Sequence, residues 1–192
     1  MHALTTLQVI GIDPNVQRLQ VAREKYSAGN IIFKEGRAED FHGSDFDVVF
    51  FNYVFHWCKE KDKVFEQVAT SLKNGGKFGF VTPSNFIFLN LFCPVPEMIS
   101  PECQQFMAEV MHIPTSEELH QLASSNGFVT SFTKERIQIW KFESVSKFVT
   151  EFLMIHFHKY GIEHYNVKLM KEYYGEEVVL KQPYTTDILT KV

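Results

Sequence analysis

The sequence is poor in cysteine, has no long hydrophobic run and carries no large excess of either charge. Three cysteines in 192 residues are too few for a disulfide framework. The best apolar stretch, 86–95, contains Asn90 and Pro94 and falls short of the roughly 18 apolar residues that a membrane span needs. With 19 basic and 23 acidic side chains, the chain lacks the basic face of a nucleic-acid-binding protein. We therefore expect no nucleic-acid partner and no membrane partner.

Residues 1–7 have neither a basic start nor a following apolar run, so they do not read as a secretory signal. We expect a cytoplasmic protein with reduced thiols. A content of 45% hydrophobic and 22% charged residues is ordinary for a globular protein, and the length fits a single domain over residues 1–192. The 19 phenylalanines fit either a large core or an apolar pocket.

Short apolar strands alternate with helical patterns in the first 82 residues. Asp13 and Pro14 follow the first strand, where Asp can cap a helix and Pro suits its first helical position. A second helix is predicted over 61–73, and the sequence Asn-Gly-Gly at 74–76 is expected to end it. The predicted strands are 7–12, 31–33, 46–51 and 77–82. This order predicts an α/β fold with parallel strands, and FDVVFF at 46–51 is apolar on both faces, as in a sheet covered by helices.

The second half of the chain is less regular. Residues 83–114 are rich in proline and read as a lid or insertion that contains a helix over 101–111. Thr115 and Glu118 form a capping box for a helix that ends at 126–127. Residues 128–140 predict a long strand, 144–175 a helical insertion with helices over 144–160 and about 163–174, and 183–192 a last strand.

Three segments follow predicted strands, at the edge where an α/β sheet forms its binding crevice. Asp13 can accept hydrogen bonds from the two hydroxyls of a ribose, or it can simply cap the next helix. The loop 36–40 can offer a backbone amide to an adenine ring, or it is an ordinary polar loop. In the segment 52–57, His56 and Trp57 either line the crevice or pack in the core.

Together these segments resemble a known family. The stretches VIGIDPN, GRAEDF, FDVVFFNYVFHW and VFEQVATSLKNGGKFGFV are similar to class I S-adenosylmethionine-dependent methyltransferases. The nearest group is the small-molecule one that includes juvenile hormone acid and trans-aconitate methyltransferases. The resemblance covers 9–81 and is looser afterwards. It implies a Rossmann-like, mostly parallel sheet with an antiparallel last strand, and S-adenosylmethionine as the cofactor.

The resemblance also implies roles for individual residues at the cofactor. Asp13 matches the acidic residue that holds the ribose, and Pro14 and Asn15 match positions beside the adenine. Ala38 and Glu39 match the loop at the edge of the adenine.

A second set of implied roles concerns the methionine end of the cofactor and the acceptor. Asn52 and Tyr53 match the segment that passes under the methionine part, and His56 and Trp57 match positions that line the acceptor pocket. His56 is also the candidate base for a hydroxyl acceptor, since a carboxylate acceptor needs none.

The Phe-rich segment 144–160 suggests a further hypothesis about specificity, in which Phe148 and Phe152 also line the acceptor pocket.

Two departures from the family pattern affect the prediction. Arg37 stands where the family usually has an acidic residue that contacts the adenine amine, and a guanidinium cannot accept that hydrogen bond. The first strand and its glycine-rich loop are missing from the sequence. Because that strand is central in the family, its two neighbours must pair directly, leave a gap, or borrow a strand from another chain. The last alternative predicts a homodimer through the strand-deficient sheet.

The sequence therefore predicts methyl transfer to a small, partly apolar acceptor that carries a carboxylate or hydroxyl. The alternative is a non-catalytic methyltransferase-like module, for binding or assembly, that has lost the cofactor. We expect no metal site, since the spacing of His156 and His158, with His164 beyond them, does not put these side chains on one helix face.

Overall fold

In the part of the chain that the structure describes, most residues belong to six strands and six helices. The computed structural model describes residues 7–26, 29–83, 93–110, 113–154 and 160–192. The strands are β1 Val9–Asp13, β2 Ile31–Glu35, β3 Phe46–Asn52, β4 Leu72–Pro83, β5 Phe128–Phe142 and β6 Val178–Lys191. The helices are α1 Val16–Lys25, α2 Lys61–Ser71, α3 Pro101–Val110, α4 Ser116–Ser125, α5 Val145–Phe148 and α6 Val167–Tyr174. His156, His158 and part of the predicted 83–114 insertion lie outside the described residues.

Short turns complete the described secondary structure. Turns of 3-10 helix cover Ala38–Asp40, Phe55–Trp57, Pro96–Met98 and Ile162–His164, and α5 continues into a π-helical turn over Val149–Leu153. None of the described helices is long and apolar enough to cross a membrane.

The strands form two separate sheets. β1 and β2 pair in parallel, with Asp13 opposite Glu35. The second sheet has the order β3-β4-β6-β5, in which β4 is parallel to β3 and β6 is antiparallel to both of its neighbours. The predicted α/β fold with parallel strands and an antiparallel last strand is confirmed.

The edges of β1 and β3 are where the sheet is interrupted. Among the described residues, β1 pairs with β2 alone and β3 pairs with β4 alone. Direct pairing of these two strands, one of the three alternatives, is therefore wrong for this chain. Within the described residues, a break in the backbone hydrogen-bond ladder separates the two sheets.

One face of β3 is open within the described residues. Val49 and Phe51 pack against the core of the second sheet, but Val48 and Phe50 on the other face are 60% and 57% exposed. The Phe50 ring lies over Gly79, where an added Cβ would come within 3.0 Å of it. The expectation that both faces are covered is wrong for this part of the strand.

Two hydrophobic cores hold the described residues together. The sheet core, between α2, α4 and the strands, is built mainly of aromatic rings: Phe55, Phe65, Phe78, Phe80 and Phe128. The helical core joins the segment 93–107 to α5, α6 and the start of β6. Its largest fully buried members are Met98, Phe148, Leu153 and Met170.

Some helix ends differ from the predictions because another residue nearby caps the helix. The first helix is capped by Asn15, whose side chain accepts the Arg18 backbone N–H, so the expected cap at Asp13 and first position at Pro14 are wrong. The capping box of Thr115 and Glu118 is confirmed.

Strand β4 also extends further than predicted. α2 ends at Ser71, and the sequence Asn-Gly-Gly at 74–76 lies inside β4 rather than at a helix end. Gly75 has a φ of 77°, a backbone conformation that glycine adopts without strain. Likewise β6 begins at Val178 rather than at 183, and α6 begins at Val167 rather than near 163.

Shortening a phenylalanine on the buried face of the second sheet and shortening one on its open face should have very different costs. Phe80 is 1% exposed, so we expect Phe80→Ala to lower the free energy of unfolding by about 3–5 kcal/mol. We expect Phe50→Ala to cost less than about 1 kcal/mol, since most of its ring already contacts solvent. Urea denaturation followed by circular dichroism measures both. A cost for Phe50→Ala as large as that for Phe80→Ala would contradict the open face.

Candidate functional site

The carboxyl ends of β3 and β4 meet at one point. Asn52, the last residue of β3, lies opposite Val81, and the Tyr53 backbone N–H donates to the Val81 carbonyl at 3.0 Å. Tyr53 has a φ of 54°, in the left-handed region that a residue with a Cβ rarely adopts. The chain therefore leaves β3 through a sharp turn that places Tyr53 at the strand end.

An aromatic group follows this turn. The centroid of the Tyr53 ring is 6.4 Å from that of His56 and 6.1 Å from that of Tyr184, and His56 is 5.4 Å from Trp57. His56 is only 3% exposed. Burial raises the pKa of Tyr53, so its phenol stays protonated near neutral pH and can donate a hydrogen bond.

Thr82 is a polar residue at this edge that the sequence analysis missed. It is 1% exposed, near the carboxyl end of β4. Among the described residues its Oγ1 has no hydrogen-bond partner, which is unusual for a buried hydroxyl. A polar residue at the end of an apolar strand, as in KFGFVT, is the signal that could have indicated it.

Asp13 lies at the corresponding end of β1, with an exposed fraction of 32% for its side chain. Its Oδ1 accepts the Asn15 backbone N–H at 2.7 Å, and its Oδ2 is 3.6 Å from Arg18 Nη1. Asp13 thus shapes the loop into α1 and still has carboxylate surface that a ligand can reach.

Glu39 is buried at the end of the loop after β2. It is 5% exposed, and its Oε1 accepts the Lys59 backbone N–H at 3.1 Å. Arg37 Nη2 is 3.5 Å from the same oxygen, and this hydrogen bond and the attraction of the carboxylate raise the pKa of Arg37. The neighbouring Ala38 packs against the sheet core. The Glu39 carboxylate therefore ties the β2 loop to the segment before α2.

A buried lysine lies next to this contact. Lys61 is 6% exposed, and its Nζ donates to the Cys58 carbonyl at 2.6 Å and lies 5.5 Å from the centre of the Phe55 ring. Burial lowers the pKa of Lys61 and raises the pKa of Cys58 to about 12. The thiol of Cys58 therefore stays protonated and is a poor nucleophile.

The structure arranges the predicted site residues in two groups and leaves two of them apart. Residues Asp13, Pro14, Asn15, Ala38 and Glu39 belong to the β1–β2 side, and Asn52, Tyr53, His56 and Trp57 belong to the β3 side. Phe148 and Phe152 stack on each other in the helical core, where they are at most 4% exposed. Their role in lining an acceptor pocket stays a prediction. Among the described residues, no group of three or more His, Cys, Asp or Glu is placed to hold a metal ion.

The bridging role of Glu39 predicts a measurable loss of stability. Glu39→Ala removes the buried carboxylate that accepts the Lys59 N–H, so we expect the free energy of unfolding to fall by about 2 kcal/mol. The control Glu60→Ala removes an exposed carboxylate 3.5 Å from Lys63 and should cost less than about 0.5 kcal/mol. If urea denaturation shows the same loss of unfolding free energy for both variants, the Glu39 hydrogen bond does not stabilise the fold.

Known proteins resemble this chain in its fold and in the sequence of its first 80 residues. Residues 1–80 match the family model described as a methyltransferase domain. No curated protein matches the sequence. Among solved structures, a putative methyltransferase from Bacillus halodurans is similar, with 15% identity, a TM-score of 0.62, and coverage of 96% of this chain and 83% of that one.

Two further similar structures are of proteins linked to S-adenosylmethionine or its demethylated product. An S-adenosylmethionine-dependent methyltransferase from Mesorhizobium loti has 16% identity and a TM-score of 0.59, with coverage of 96% of this chain and 80% of that one. Phosphoethanolamine N-methyltransferase 2 from Haemonchus contortus, in complex with phosphomonomethylethanolamine and S-adenosylhomocysteine, has 17% identity and a TM-score of 0.56. That alignment covers 96% of this chain and 44% of the Haemonchus contortus protein.

The narrower resemblance to juvenile hormone acid and trans-aconitate methyltransferases stays a prediction. Residues 1–80 match the methyltransferase-domain family model, and the described chain has a Rossmann-like α/β fold similar to that of solved S-adenosylmethionine-dependent methyltransferases.

Proposed function

We propose that this protein transfers a methyl group from S-adenosylmethionine to a small, partly apolar acceptor with a carboxylate or hydroxyl group, in the cytoplasm. The observation that carries the proposal is the pairing of two different environments at the carboxyl strand ends. Asp13 presents a partly exposed carboxylate on one side, and Tyr53, His56 and Trp57 present aromatic groups on the other. A nucleoside with an apolar neighbour is a ligand that two such environments would suit at the carboxyl edge of an α/β sheet.

The residues present fit the cofactor at three points. Asp13 would accept hydrogen bonds from the ribose, with Pro14 and Asn15 beside the adenine. Ala38 lies in the loop that would edge the adenine, where Glu39 holds the loop in place through Lys59. The buried Thr82 hydroxyl, with no partner among the described residues, supports a polar ligand atom near the end of β4.

On the methionine side, Asn52 and the Tyr53 turn would pass beneath the amino-acid end of the cofactor. When bound, S-adenosylmethionine supplies a methyl group on a sulfonium. The protein mainly positions donor and acceptor, a contribution that reaches about 7–11 kcal/mol in well-oriented reactions.

His56 has a role only for some acceptors. A carboxylate attacks without a base, whereas a hydroxyl needs a group to take its proton. His56 is held between Tyr53 and Trp57, away from bulk water, and would accept that proton.

A second candidate function is a binding or assembly module that does not bind the cofactor. The break between β1 and β3 in the described sheet favours it, because the two groups of site residues lie on separate sheets. A second copy of the chain that supplies the missing strand pairing would form the homodimer that the sequence analysis expects. Light scattering on the purified chain distinguishes the monomer from the dimer.

Calorimetry with S-adenosylmethionine and S-adenosylhomocysteine separates the two functions. For an enzyme, we expect both to bind and Asp13→Asn to weaken both by at least about ten-fold, since hydrogen bonds to a charged group are lost. The control Asp47→Asn changes an exposed carboxylate that pairs with Lys73 and should leave the affinity unchanged. Absence of binding to the unmodified chain would favour the module, and equal affinities of the two variants would make Asp13 purely structural.

The proposed role of His56 predicts a dependence on the acceptor. We expect His56→Gln to lower kcat for hydroxyl acceptors by about 100-fold, since a general base contributes that much, and to leave carboxylate acceptors unaffected. Transfer of a labelled methyl group to a panel of both acceptor types measures this. His42→Gln, at an exposed histidine, is the matched control. An equal loss for both acceptor types would point to a structural role for His56.

A further inference from the structure

The position of Lys61 at the start of α2 is unfavourable for a charged side chain in two ways. Lys61 is 6% exposed, although lysine is almost never buried to this extent unless its charge is paired. It is also the first residue of the helix, where the helix dipole disfavours a cation. A straight apolar side chain would avoid both costs. What the ammonium group contacts therefore indicates what the charge contributes.

Two contacts of the Lys61 ammonium reach the turn that carries His56, residues 55–58. Nζ donates a hydrogen bond to the Cys58 carbonyl at 2.6 Å. It also lies 5.5 Å from the centre of the Phe55 ring, which is within the range of a cation–π interaction. Lys61 thus contacts the first and the last residue of this turn.

His56 lies between these two contacts. The turn is closed by the Cys58 N–H, which donates to the Phe55 carbonyl at 3.2 Å, and the Phe55 ring stacks on Phe80. His56 itself is 3% exposed, and its ring centroid is 5.4 Å from that of Trp57. Because a single helical turn carries its side chains as a unit, a shift of the turn would move the imidazole with it.

We propose that Lys61 is a positioning residue, which holds the His56 imidazole where it can take a proton from a hydroxyl acceptor. This inference rests on the proposed methyl transfer and on the role of His56 in it. Lys61 acts only through the turn, so its loss should displace the base without removing it.

The test compares the unmodified chain with Lys61→Met, which keeps a straight side chain and removes its charge. We expect kcat for methyl transfer to hydroxyl acceptors to fall by about ten-fold, since a displacement of about 1 Å can cost up to about 100-fold. Lys61→Gln removes the charge but keeps a polar side chain at the helix start, and we expect the same loss. Circular dichroism identifies the variants that are folded.

The matched control is Lys168→Met, in the first turn of α6, where the lysine side chain is 89% exposed. It removes a charge from the same part of a helix, and it should leave kcat unchanged. A kcat of the folded Lys61 variants equal to that of this control would overturn the inference.

A double-mutant cycle shows whether Lys61 acts through His56. If it does, the chain with both Lys61→Met and His56→Gln should be no slower than His56→Gln alone, because the base that Lys61 positions is already absent. Losses that multiply in the double variant would show that Lys61 acts independently of His56, and would overturn the inference.

A further readout does not depend on methyl transfer. We expect nuclear Overhauser contacts between the His56 imidazole and the rings of Tyr53 and Trp57, whose centroids are 6.4 and 5.4 Å from it. The His56 signals are identified by their absence from His56→Gln. Lys61→Met should weaken these contacts, and Lys168→Met should not.

These contacts separate the failure of this inference from the failure of the proposed function. If the unmodified chain transfers no methyl group to any acceptor, the proposed function fails, and the His56 contacts still decide whether Lys61 positions the ring. Unchanged contacts in a folded Lys61 variant would overturn the positioning role, whatever the activity.

Discussion

The hydrogen bond from the Lys59 N–H to the buried carboxylate of Glu39 is the interaction on which the arrangement of the site depends. It joins the loop after β2 to the segment that leads into α2. The ion pair of Asp40 with Lys63 runs beside it, but both of those side chains are substantially exposed. A hydrogen bond to a buried charge contributes more than an exposed ion pair, so Glu39 contributes more than Asp40 to holding the loop after β2 against the segment before α2.

That dependence follows from the break in the sheet. Because β1 and β3 do not pair in the described chain, no hydrogen bonds between strands hold β1 and β2 against the second sheet. The other edge of the second sheet is β5, and charged side chains protect it from pairing. β5 carries Lys134, Glu135 and Arg136 in succession, all exposed, and charged side chains on an edge strand discourage pairing with another chain. Strand β3 carries one exposed charged side chain among the described residues, Asp47, which pairs with Lys73, beside the exposed apolar Val48 and Phe50.

Most of the described phenylalanines belong to one of two cores. In the sheet core, Phe55 stacks on Phe80 with centroids 5.4 Å apart, and this fixes the turn that carries His56. In the helical core, Phe148 and Phe152 contact each other and the ring of Phe142. The helical core also holds the segment 93–107 against α5 and α6.

The sequence by itself determined the features that depend on neighbouring residues. The apolar strands, the capping box of Thr115 and the parallel order of the first strands all follow from local patterns, and so does the family resemblance. Only the tertiary structure decided the rest. The contact of Glu39 with Lys59 joins residues 20 apart in the chain, and the burial of Thr82 depends on what packs against the end of β4. The open face of β3 likewise reflects which strands lie beside it, because pairing and burial are set by partners that are distant in the sequence.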